Sequence, residues 1–90
     1  MTITLTGTQA SIRAMYDHGI RLNAFVNLDG NVDQYEVHSP SGYSLHYDRG
    51  LALVAYADAC EAVAARTSNR HEADRLSDEA ARAILSAFGA

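Results

Sequence analysis

The stretch Arg21-Leu22-Asn23-Ala24-Phe25-Val26-Asn27-Leu28-Asp29-Gly30-Asn31-Val32-Asp33-Gln34-Tyr35-Glu36-Val37-His38 decides the fold. Leu22, Ala24, Val26 and Leu28 alternate with Arg21, Asn23, Phe25 and Asn27, the period-two pattern of a half-buried strand. Asp29-Gly30 follows at once. It is a strong hairpin signal, because a type I′ turn needs positive φ at both central residues. With that pair as the loop, Leu22 faces Val37 and Ala24 faces Tyr35, so apolar partners share one face. A four-residue loop keeps the same faces and pairs Val26 with Tyr35.

Downstream, His38-Ser39-Pro40-Ser41-Gly42 reads as a second turn, with proline and glycine placed to reverse the chain. Tyr43, Leu45 and Tyr47 then alternate with Ser44 and His46, giving a third strand with one apolar face. Tyr35 and Tyr56 are expected in the core, whereas Tyr43 and Tyr47, near strand ends, suit the core rim and an interface cluster equally. A pairing of Val37 with Leu45 sets Glu36 opposite His46 and His38 opposite Ser44.

Asp48 can cap the next helix, whose stripe is Leu53, Tyr56, Ala57, Cys60, Val63 and Ala64. Thr67-Ser68-Asn69 breaks it, and Asn69 with Glu72 fits a capping box for a final helix. The inner face of that helix, Ala73, Leu76, Ala80, Ala83, Ile84, Ala87 and Phe88, is mostly alanine and permits close helix–helix approach.

Upstream, Thr2 to Thr6 reads as a short edge strand. Thr6 with Gln9 then fits a capping box, and Ile12, Met15 and Tyr16 fall on one side of a short helix that Gly19 would close. The expectation is therefore a single α+β domain over residues 1–90. It has a short N-terminal helix, a three-stranded antiparallel meander, and two C-terminal helices packed on one sheet face.

Composition narrows the function. Ninety residues bury a thin core, so a homodimer sharing apolar surface would be economical. The net charge of −4 and the absence of a basic cluster argue against direct nucleic-acid binding. No apolar run approaches the ~20 residues of a membrane span. Met1 to Thr6 carries no positive charge and does not read as a signal peptide. A cytoplasmic protein is expected. The single cysteine, Cys60, falls on a helical stripe as a small hydrophobe.

No constellation reads as catalytic, no cofactor is implied, and the expectation is not an enzyme. His38, His46 and Glu36 on the polar sheet face are the one set that could ligate a metal, as a small metal protein or enzyme would. They lack a defined ligand spacing, so no metal site is assigned. Phe25, which parity puts on the polar face, could anchor a protein partner with Val32 nearby. The acids Asp29, Asp33, Glu36, Asp58 and Glu61 complete the candidate protein-binding set.

The order of elements resembles one group of bacteriophage anti-CRISPR proteins, small acidic or lysine-poor chains. The comparison rests on Tyr35 to Ala64, a strand–turn–strand leading into a helix that carries Tyr56-Ala57-Asp58. The resemblance implies a protein-binding inhibitor that engages a Cas surveillance complex and blocks DNA capture in the host cytoplasm. This chain departs from the pattern in its modest charge and many arginines. Steric obstruction or a mixed polar–aromatic interface is therefore expected over DNA mimicry. The rival reading is a homodimeric phage accessory or antitoxin-like regulator.

Overall fold

The computed structural model describes residues 7–89. Its strands are β1 (Gly7–Met15), β2 (Ile20–Asn27), β3 (Val32–Ser39) and β4 (Gly42–His46), followed by α1 (Arg49–Arg66) and α2 (Arg70–Phe88). The strands form one antiparallel sheet in the order β1-β2-β3-β4. The class is α+β, with four strands where the sequence suggested three. The edge strand expected over Thr2–Thr6 lies outside the described residues.

The largest correction is at the N-terminal end, where the expected helix is strand β1. Ile12, Met15 and Tyr16 do not share a face. The register with β2 shifts between Ser11 and Arg13, so Ile12 is the extra residue of a bulge, 41% exposed. The bulge puts Ala10, Arg13 and Met15 opposite Ala24, Leu22 and Ile20. A period-two pattern with one inserted residue thus imitates a period near four. A lone helix this short would be marginal in water, whereas the strand gains a full ladder with β2. Only Tyr16–His18 is helical, as a 3-10 turn. Gly19 ends it in the left-handed conformation anticipated for that glycine, φ 70°.

The first hairpin pairs Leu22 with Val37 and Ala24 with Tyr35, as expected. Its loop differs from a type I′ turn, because no residue other than glycine has positive φ among those described. Gly30 N–H donates to Asn27 O and Asn27 N–H to Asn31 O, closing a three-residue loop with Gly30 at φ 86°. Asn27 Oδ1 accepts from the Asp29 and Asn31 amides and holds the loop.

The second hairpin is shifted by one residue from the Val37–Leu45 pairing. Ser39 pairs with Gly42, Val37 with Ser44 and Glu36 with Leu45, leaving Pro40-Ser41 as the loop. A one-residue shift turns a whole strand over. Tyr43 and Leu45 therefore lie on the face away from the helices, 66% and 44% exposed.

Both helices begin where their caps predict. Asp48 accepts from Leu51 N–H at 2.9 Å and Asn69 from Glu72 N–H at 3.0 Å. Asp48→Ala should cost about 1 kcal/mol in a urea titration. A loss indistinguishable from zero would show that the cap is idle. α1 supplies most of the helix-to-sheet contact, against β2 and β3, and α2 lies beside α1. Leu53, Tyr56, Ala57, Cys60 and Ala64 meet Ile20, Leu22, Ala24, Tyr35 and Val37 in the core, with Leu76, Ala80 and Ala83 joining from α2. Each fully buried leucine in this set contributes about 1.5–3 kcal/mol. Among the described residues, no helix is long and apolar enough to cross a membrane.

Candidate protein-binding surface

With both helices on one side, the sheet's other face is open. Alternation along the strands presents Gln9 and Ser11 from β1, and Arg21 and the half-buried Phe25 from β2, with Asn23 buried on the same face. Gln34, Glu36 and His38 follow from β3, then Tyr43 and Leu45 from β4. Glu36 organises the centre. Its Oε1 accepts from Gln9 Nε2 at 3.3 Å and lies 2.9 Å from His38 Nε2. The His38 ring stacks on Tyr43, with centroids 5.5 Å apart and planes 19° from parallel. Tyr16 donates its hydroxyl to Ser11 Oγ at 3.0 Å. These contacts hold aromatic and charged groups in place, and among the described residues no element covers them.

The candidate binding residues fall into two groups. Phe25 and Glu36 lie on the open face, and Asp29 and Asp33 lie at the β2–β3 hairpin, Asp33 accepting from Asn27 Nδ2 at 2.9 Å. Leu28 and Val32 are exposed beside them. Asp58 and Glu61 are on α1 in the helix layer, with Glu61 accepting from Ser77 Oγ at 3.0 Å. The first group lies on the sheet's open face and its β2–β3 hairpin; the second lies in the helix layer on the other side. On sequence grounds Tyr43 is open between core and interface and Leu45 is expected inside; the observed β4 register puts both on this surface.

The possible metal set does not assemble. His46 pairs with Tyr35 and so lies on the helix-facing side, its Nε2 2.8 Å from Ser44 Oγ, while His38 and Glu36 face outward. A different cluster gathers Asp17, His18 and Glu72, whose potential ligand atoms lie within 4.8 Å of one another. Distance along the chain hid it from sequence reasoning. Arg75 already supplies the positive charge there, bonding Glu72 at 2.7 Å and pairing with Asp17. Arg75 and then His18 hold the Glu72 carboxyl down at about 2. A depressed value in the fold contributes stability above the ordinary 4.5 and loses it as pH falls toward about 2. The melting-temperature gap between wild type and Glu72→Gln should therefore narrow over that window. A gap constant with pH would show that the carboxylate's charge contributes nothing.

Beneath the sheet lies a largely buried polar triad, with the Arg13 side chain 24% exposed at its edge. Arg13 Nε and Nη2 donate to the two oxygens of Glu79 at 2.9 and 3.0 Å, and Tyr56 OH donates to Oε2 at 2.8 Å. Burial raises the Glu79 carboxyl, but Arg13 and Tyr56 outweigh it and the net shift is downward. Burial, then the bond to Glu79, raises the Tyr56 hydroxyl. Nearby, burial pushes the Cys60 thiol up to about 11, which leaves little thiolate at neutral pH. The triad is internally satisfied and joins β1 to both helices.

No protein-family model, curated protein or solved structure matches this chain. Its surface therefore has to be read from its own chemistry.

Proposed function

We propose that the chain is a non-enzymatic protein-binding inhibitor of a phage or mobile element, most concretely an anti-CRISPR that engages a Cas surveillance complex and blocks DNA capture. The observation that carries the protein-binding part is the uncovered sheet face. There, Phe25, Tyr43 and Leu45 are interleaved with Glu36, His38 and Arg21. Aromatic anchors set among polar groups are the usual composition of an interface centre. The anti-CRISPR part rests on the resemblance over Tyr35 to Ala64; strand β1, in place of a short first helix, departs from that pattern. Binding by obstruction suits a chain of net charge −4 whose helical acids are mixed with arginines. The site of action would be the host cytoplasm.

A homodimer is the second reading, favoured by the same exposed apolar groups and by the free edges of β1 and β4. A pull-down with the tagged chain in lysate of a CRISPR-bearing bacterium separates the two. Stoichiometric Cas subunits support the inhibitor, and Phe25→Asp should abolish their recovery. Bait alone, with a dimer in analytical ultracentrifugation, would replace it with the self-associating regulator.

A further inference from the structure

At one end of the open face, a shallow concavity lies between the Tyr16–His18 turn and the β3–β4 hairpin. Tyr16, Gly19, Ile20, Arg21, His38 and Ser39 line it. None of these is acidic, in a chain of net charge −4. The nearest acids have other partners: Asp17 is paired with Arg75, and Glu36 is engaged by Gln9 and His38. Arg21 is exposed and forms no ion pair or side-chain hydrogen bond among the described residues, and strand pairing sets it directly beside His38. Tyr16 is exposed as an aromatic wall, while the Ile20 side chain turns to the helix side of the sheet and is fully buried in the core.

We infer that this concavity is an oxyanion subsite that takes a carboxylate from a protein partner, an Asp or Glu side chain or a chain terminus. A guanidinium without a partner offers a planar fork matching a carboxylate's two oxygens, and charge-assisted pairs of this kind are the strong hydrogen bonds. The Tyr16 ring beside it shields one side of such a pair from water and raises its worth. A polyphosphate chain fits less well, because it would run past Glu36 and Asp17 and against the net negative field. Assigning the carboxylate to a protein rests on the protein-binding reading above; the subsite itself does not.

Titrating the isolated protein with sodium acetate, inorganic phosphate and sodium chloride at matched ionic strength, followed by amide NMR, tests the subsite. Acetate should shift the Gly19, Arg21, His38 and Ser39 amides saturably, and chloride should not. Arg21→Gln removes no ion pair or side-chain hydrogen bond among the described residues, so its melting temperature should be unchanged while the saturable shift disappears. The inference is overturned by shifts no larger than chloride's, by shifts that persist in Arg21→Gln, or by saturation with phosphate alone. Where a partner is captured, Arg21→Gln should weaken the complex roughly 10- to 100-fold. Failure to capture any partner leaves the acetate result standing, so the two readings fail separately.

Discussion

Glu79→Ala is expected to lower stability by about 3 kcal/mol, a fall of roughly 10–20 °C in melting temperature for a domain this small. The magnitude follows from what remains. Arg13 would keep its charge beneath the helices with both of its hydrogen bonds gone, and Tyr56 would lose its acceptor. Removing one partner from such a pair costs far more than the pair contributes, because desolvation of the remaining charge is uncompensated. Arg13→Met combined with Glu79→Leu should therefore recover most of the loss, which a simple sum of the single changes would not. Acid should act in the same direction as the mutation. The Glu79 carboxyl is depressed in the fold, so its contribution is present above its ordinary 4.5 and is lost as pH falls through the folded value. Wild type should consequently lose stability on acidification faster than the double variant. A cost below about 1 kcal/mol for Glu79→Ala would mean that water reaches the triad freely.

That triad also explains why β1 was illegible in the sequence while the central hairpin was not. Leu22 and Val37, and Ala24 and Tyr35, are apolar pairs close in sequence, and their alternation alone sets the shared face. On β1 the inner-facing position opposite Leu22 is Arg13, which any patterning rule assigns to solvent. Its burial is permitted by a carboxylate 66 residues away, and no local pattern announces that. The bulge at Ile12 then scrambles the period of what remains. The β4 error has a different origin. Pro40-Ser41-Gly42 suits a two- or a three-residue loop, and only the three-residue loop turns Tyr43 and Leu45 inward. Apolar residues need not be inside. Their exposure beside Glu36 and His38 gives the candidate surface half of its character, so the site was legible at Phe25 and Glu36 and hidden at β4. The caps of α1 and α2 were legible because Asp48 and Asn69 act within a few residues of themselves.

Two substitutions on α2, two positions apart, should give opposite results. Ala83 is 0% exposed, in the layer where α2 meets α1. A glutamate there would bring both excess volume and an unpaired charge into a space sized for a methyl group. Ala83→Glu should cost about 3 kcal/mol or more, enough to unfold a large fraction of a small domain. Leu85 is 69% exposed on the same helix. Leu85→Glu should stay within about 0.5 kcal/mol of wild type, since a surface exchange removes little packing. Helix propensity differs between the two exchanges by only a few tenths of a kcal/mol, so a gap of about 3 kcal/mol in stability between their urea titrations reports burial. A wild-type midpoint for Ala83→Glu would place that alanine at the surface and rotate α2 away from α1. That rotation would also carry Glu79 out of reach of Arg13 and Tyr56, so the result would overturn the buried triad together with the helix packing.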